Sequence, residues 1–383
     1  MTTSHLPRAR VATMLLFFAS GASYATWGVH IPTIKARFAL SDAELSLAMF
    51  AVAGGAILAM KSLGAWVART GSGRASVLGA LAFALTTALL MAMPDFWTLL
   101  PLLALFGAAN AAYDVAMNAQ AATVEAHYGK PIMSGLHGMF SLGGMIGAAV
   151  GGALIAAGVP PLAHCIGMAM ITALVALGSS RVLLADHPPT PAGAGQHRQA
   201  NRLLLILGVL AFFGLVGEGA MYDWSAVYMK EVVGATPYWV GWGYAAFSAG
   251  MAGGRFGGDW LRARLGAVRL LGWSGWTGCF GILLALLWPD TGPALLGFAL
   301  MGLGAANLVP IFFVGASRLE GVTPAEGIAS VARLAYVGML LGPVLIGALT
   351  HATNLRVGLA LVAASVALIA VAGPRQLRRV EPR

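Results

Sequence analysis

The feature that most constrains this chain is a succession of apolar runs, each near the ~20 residues a helix needs to cross a ~30 Å hydrocarbon layer. Twelve can be placed: near Val11–Ile31, Leu45–Ser62, Ala75–Met93, Thr98–Val124, Ser134–Ala157 and Leu162–Leu183, then Leu203–Tyr228, Trp239–Phe256, Val268–Trp288, Ala294–Ser317, Ile328–Thr350 and Leu355–Ala372. Hydrophobic residues make up 58% of the chain and charged residues 10%, against roughly 25% charged in a soluble domain. No water-soluble fold hides that much apolar side chain. In lipid each segment must satisfy its own backbone N–H and C=O groups, so the expected class is an all-α membrane protein.

The formal charge of +9 raises the possibility of nucleic acid, but the Arg and Lys positions exclude it. They stand in short segments between apolar runs, with no basic stripe interleaved with stacking aromatics. Cys165 and Cys279 sit alone in separate runs, giving neither a disulfide framework nor a metal site. No phosphate-cradling loop of the Walker type and no convergent nucleophile and base stand out. Neither an enzyme nor a cofactor is expected. Ser23-Tyr24-Ala25 in the first run mimics a signal-peptide cleavage site; cleavage would leave an odd number of spans, so the first run reads as an uncleaved helix.

Between the sixth and seventh runs, Ala185–Asn201 holds Pro188, Pro189, Pro191, Gly193 and Gly195 with few apolar residues, the composition of a linker. The expected organisation is a six-helix bundle over 1–184, a cytoplasmic linker over 185–201 and a second six-helix bundle over 202–383. With both termini cytoplasmic, roughly 17 Lys and Arg fall on that side and about four (Lys35, Arg37, Lys230 and Arg356) outside, the asymmetry expected of a bacterial-type inner membrane protein. The halves also repeat. Gly107-Ala108-Ala109-Asn110 recurs as Gly304-Ala305-Ala306-Asn307; Gly143, Gly147 and Gly152 recur as Gly338, Gly342 and Gly347; Arg69 and Gly71 recur as Arg264 and Gly266. Three correspondences in near register point to duplication.

The segment after the second run reads Gly64-Ala65-Trp66-Val67-Ala68-Arg69-Thr70-Gly71-Ser72-Gly73-Arg74, and its later counterpart runs Gly254-Arg255-Phe256-Gly257-Gly258-Asp259-Trp260-Leu261-Arg262-Ala263-Arg264-Leu265-Gly266. This pattern resembles the signature loop of the major facilitator superfamily, and the resemblance to that superfamily covers nearly the whole chain. Ala68 stands where that loop carries an acid, whereas Asp259 keeps it in the second copy. The strings Asp114-Val115-Ala116-Met117-Asn118-Ala119-Gln120, His137-Gly138-Met139-Phe140-Ser141-Leu142-Gly143-Gly144 and Glu218-Gly219-Ala220-Met221-Tyr222-Asp223-Trp224-Ser225 are similar to the subgroup of the rhizopine-associated membrane protein MosC. The resemblance implies twelve transmembrane helices in two pseudo-symmetric six-helix bundles. It also implies gating by Arg69, Arg74, Asp259 and Arg264, and a small polar, sugar-like or cyclitol-like substrate. Drug antiporters of the superfamily carry Gly-Pro in the fifth helix; here Ala148 follows Gly147.

Polar side chains at membrane depth cost several kcal/mol unless paired or hydrated, so each needs a reason. Asn110, Asp114 and Asn118 recur every four residues on one face of the fourth helix, and Glu125 continues the stripe toward a gate. That stripe reads equally as a hydrogen-bonded seam or as substrate and proton handling. Glu218 lies well inside the seventh span with Tyr222 one turn on; surroundings that disfavour a charged carboxyl let it carry a proton. Asp114, Asp223 and His137 are the other proton-coupling candidates. Tyr24, Trp27 and His30 share one side of the first helix: Tyr24 reads as a substrate contact, Trp27 and His30 as an interfacial belt. Asn307, as repeat mate of Asn110, and Tyr336 complete the substrate candidates. Arg333 is either a gate partner for a carboxylate such as Glu125 or a snorkelling cation. Pro343 marks a kink in the eleventh span, and the glycines of the fifth and eleventh spans give smooth sides for close contact.

The expected function is a monomeric secondary active transporter working by alternating access, symporter or antiporter, powered by protons. Alternatives are a proton-driven drug or metabolite efflux antiporter and a non-transporting receptor of the same fold.

Overall fold

The structure, a computed structural model, describes residues 5–129, 132–185, 202–319 and 324–380. Among them are fourteen helices and no strand: α1 (His5–Arg37), α2 (Asp42–Thr70), α3 (Ser72–Leu89), α4 (Phe96–Tyr128), α5 (Met133–Ala156), α6 (Pro161–Ser179), α7 (Arg202–Glu231), α8 (Pro237–Val240), α9 (Trp242–Leu265), α10 (Ala267–Leu287), α11 (Thr291–Ala305), α12 (Leu308–Ser317), α13 (Pro324–Ala352) and α14 (Leu355–Leu377). With α8 a single turn and α11 and α12 one broken span, twelve membrane-length segments remain, the number the apolar runs predict. Ten combine span length with high apolar content. The other two are α1, which buries Ser20, Ser23, Thr26 and His30, and α9, which carries Arg255, Asp259, Arg262 and Arg264. Polar cargo lowers their hydropathy, but at ~1.5 Å per residue 33 and 24 residues still cross the layer.

The chain divides into two compact units, Met1–Leu40 with Leu47–Gly195 and Ser41–Ser46 with Gln196–Arg383. All but Ala185 of the linker expected over 185–201 lies outside the described residues.

Each unit is held by the same kind of close helix contact. In the first, α5 lies so near α1 that a Cβ on Gly143 would fall on the Phe18 carbonyl oxygen; in the second, a Cβ on Gly338 of α13 would fall on that of Phe212 in α7. Without a hydrophobic drive between helices in lipid, such small-residue contacts supply the packing energy. The glycine sides therefore act inside each unit, joining its first and fifth spans. Two further contacts repeat with both members displaced by 195 residues: Gly55 on Ala104 recurs as Gly250 on Ala299, and Gly107 on Val52 recurs as Gly302 on Phe247. This register places Gly302, two residues before Gly304, opposite Gly107. Asn307 is thus not the structural mate of Asn110, as the Gly-Ala-Ala-Asn strings had it. The helix breaks at Asn307, between α11 and α12, where α4 runs on unbroken.

The signature loops have a backbone purpose. α2 passes into α3 through Gly71 alone, at φ 82° and ψ 143°, and α9 passes into α10 through Gly266 at φ 74° and ψ 156°. A side chain is all but excluded from that region of φ/ψ space, so glycine is required at both one-residue corners.

Candidate functional site

The most heavily charged buried cluster among the described residues lies in the second unit, where α7 meets α9. Near the middle of α7 the sequence is Gly217-Glu218-Gly219. Gly219 is pressed onto the Met339 carbonyl of α13, and Gly217 faces Met301 of α11 and Val362 of α14. Any Cβ at Gly219 would push α13 away, so the two glycines seat the helix backbone and leave Glu218 to face α9. There Arg255 Nη2 donates to Glu218 Oε1 at 2.9 Å, with the two side chains 14% and 10% exposed. Tyr222, one turn on, donates its hydroxyl to the same oxygen at 3.3 Å. Its ring packs on Tyr244 at 5.2 Å and edge-on to Phe247 at 5.1 Å, both from α9. Two further side chains of α7 are tied to backbone: Trp224 Nε1 donates to the Pro343 carbonyl at 3.0 Å and Tyr228 to that of Ala285 at 2.7 Å. Asp223 is buried as well.

Removing a carboxylate and a guanidinium from water costs several kcal/mol apiece, which their attraction recovers only with good geometry. A pair kept at mid-helix depth in a membrane chain is a functional hypothesis by default. The sequence reading pictured Glu218 as a lone carboxyl in apolar surroundings; it has a cation beside it. Nothing in the loop motif that contains Arg255 marks it as that cation. Ending the eighth span at Phe256 put Arg255 at the membrane edge, whereas α9 continues to Leu265 and carries it at mid-helix.

The first unit holds a different set. Asp114 and Asn118 share the predicted face of α4, and Asn118 Nδ2 donates to the Asp114 carbonyl at 2.9 Å and to its Oδ1 at 3.1 Å. Asn110 is half-buried on the same face. Tyr24 stacks on Phe106 at 6.2 Å, and Trp27 approaches the same ring at 5.9 Å. Trp27 and His30 do not form an interfacial belt; both are buried inside the unit. His30 Nε2 lies 2.9 Å from His164 Nδ1 on α6, a histidine the sequence reading did not single out. Ser23, inside the segment that mimics a cleavage site, shares a 2.5 Å hydrogen bond with Thr172.

The remaining candidates are dispersed. Asn307 Nδ2 donates to the Gly254 carbonyl at 3.3 Å, tying the α11–α12 break to α9. Glu125 Oε2 accepts from the Ile132 and Met133 amides at 2.7 and 2.9 Å, serving the start of α5. His137 meets Phe17 edge-on at 5.3 Å. Arg69 turns back to the Ala65 carbonyl, and the Arg264 guanidinium lies 4.2 Å over the Trp260 ring. Arg74, Asp259, Arg333 and Tyr336 are exposed.

A sequence profile described as the Major Facilitator Superfamily matches residues 13–319. The chain belongs to the major facilitator superfamily. This facilitator is 35% identical over 366 residues to the membrane protein MosC of Rhizobium meliloti, covering 94% of this chain and 88% of that one. It is 34% identical over 361 residues to an uncharacterised MFS-type transporter of Yersinia pestis, covering 92% of each. Its fold is similar to that of a bacterial homologue of the human lysosomal transporter Spinster, in an inward-facing and occupied conformation (TM-score 0.73, 17% identity, covering 100% and 98%). It is also similar to FucP in the outward conformation (TM-score 0.63, 17% identity, covering 97% and 98%). The facilitator is therefore a multi-pass membrane transporter rather than an enzyme.

Proposed function

We propose that this facilitator carries a small polar solute, sugar-like or cyclitol-like, by alternating access with proton coupling, and that Glu218, Arg255 and Tyr222 form the coupling and binding centre. The buried Glu218–Arg255 pair carries the reading. A proton on Glu218 cancels its charge and releases the guanidinium, whose planar fork of donors then suits the vicinal oxygens of a polyol. Deprotonation restores the pair and expels the solute from the guanidinium. One carboxyl thus makes proton and solute occupancy interdependent. Tyr222 and Tyr244 offer ring faces for the apolar side of such a solute.

Asp114 with Asn118, Asn110, Tyr24, Asn307 and Tyr336 are the further substrate contacts we assign, with Asp114, Asp223 and His137 as secondary proton carriers. Arg69, Arg74, Glu125, Asp259, Arg264 and Arg333 are the gating set. The working unit is a monomer with both termini cytoplasmic, of two bundles over 1–184 and 202–383 joined by a linker over 185–201. The resemblance of the strings around Asp114, His137 and Glu218 to the rhizopine-associated subgroup suggests the solute class, and the excess of Lys and Arg in alternate segments supports the orientation.

Reconstituted vesicles test the proposal with a panel of sugars, cyclitols, amino sugars and lipophilic cations under an imposed pH gradient. Accumulation should vanish when the gradient is collapsed. Glu218→Gln should still exchange solute across the membrane but lose gradient-driven accumulation. Unchanged accumulation without the gradient, together with normal transport by Glu218→Gln, would end the proton reading; response to lipophilic cations alone would replace the solute class with drug efflux.

A further inference from the structure

We propose that a cavity at the arginine-rich end of the second unit binds the phosphate of an anionic phospholipid. The cavity encloses about 170 Å³ where α9, α12 and α14 end and α10 begins. Arg262 and Arg318 stand on its wall, and Ile311, Val314 and Leu377 give it an apolar lining. Neither guanidinium is paired with a carboxylate among the described residues. Asp259, three residues before Arg262, is exposed and does not line the cavity, and Glu320, two residues after Arg318, lies outside the described residues.

Position selects the ligand. Arg262, Ala267, Arg318 and Leu377 lie in the first or last turn of a helix or just beyond it, the depth at which a membrane helix meets headgroups. Arg264, Arg269, Arg375, Arg378 and Arg379 crowd the same helix ends, whereas Asp290 and Arg356 mark the opposite ends of α10 and α14. A phosphate between two arginines gains charge-assisted, bidentate hydrogen bonds. The apolar lining accepts the glycerol and first methylenes of the acyl chains, which a free phosphate lacks. Ala267 also lines the cavity, and as the first residue of α10, a helix without a side-chain cap, it adds an amide that suits an anion. Basic pockets between membrane helices are where acidic headgroups settle, at ~1 kcal/mol or about fivefold in affinity per arginine.

The test is made on the purified full chain in neutral detergent, titrated with phosphatidylglycerol, phosphatidylcholine or inorganic phosphate while the thermal midpoint is followed and retained lipid is counted by native mass spectrometry. Phosphatidylglycerol should raise the midpoint and stay bound, the other two should not, and R262Q/R318Q should bind it about 25-fold more weakly. R375Q/R379Q, which removes as much charge outside the cavity, should bind as the parent does. V314W keeps both arginines but fills the space; it should lose retention, and it tests the site if the double variant does not fold. Equal stabilisation by phosphatidylcholine or phosphate, undiminished retention by R262Q/R318Q or V314W, or an equal loss in R375Q/R379Q would overturn the assignment.

Discussion

The two units share one framework and fill it with different chemistry. Both press a first span against a fifth through glycine, and both turn a one-residue corner at a glycine that no other residue replaces (Gly71 and Gly266). Yet the first unit buries neutral polar sets, His30 with His164 and Ser23 with Thr172, and half-buries a singly charged one, Asp114 with Asn118. The second buries a full ion pair. Duplication preserves the contacts that hold a bundle because both copies face the same lipid. Polar cargo is free to diverge, since the framework needs only that each buried polar group have a partner.

Breaking the ion pair should show the largest difference between the units. Arg255→Met strands Glu218 as a buried unpaired carboxylate and should cost about 3–5 kcal/mol, read as a fall in thermal midpoint in detergent. The double variant Glu218→Gln/Arg255→Met should regain most of that loss, because no charge is left without a partner. Asp114→Asn in the first unit should cost under ~1.5 kcal/mol, the range of one ordinary hydrogen bond. Equal losses for Arg255→Met and Asp114→Asn would erase the contrast.

The shared framework gives the next effect. Gly143→Leu and Gly338→Leu each drive a side chain into a facing carbonyl and should each cost at least about 1–3 kcal/mol, visible as matched losses of folded yield. A tolerated substitution in one unit alone would show that the repeat differs in packing as well as in cargo.

The smallest effect concerns helix starts. Asp95 caps α4, its Oδ1 accepting from the Thr98 amide at 2.9 Å, whereas Asp290, 195 residues later at the start of α11, makes no side-chain cap. Asp95→Ala should cost about 1 kcal/mol and Asp290→Ala close to nothing, again by thermal midpoint.

Much of the site was legible where its logic is local. The four-residue interval of Asp114 and Asn118 put them on one helix face, and they do touch; the same interval joins Glu218 and Tyr222. Where pairing spans long separations the reading stopped. Arg255 lies 37 residues from Glu218 and His164 lies 134 from His30, and no interval in the chain encodes either meeting. Repeated letters also misled, since Gly-Ala-Ala-Asn aligns two asparagines that packing offsets by two residues.

Lipid as solvent, twelve spans, a duplicated plan and the identity of the expensive side chains all follow from linear order, because hydropathy and helical period are properties of neighbours along the chain. Which cation answers Glu218, which ring covers Tyr24 and which arginines border an apolar hollow required folded helices. A buried charge demands a partner, but that demand is indifferent to sequence distance, and only helix packing selects who meets it.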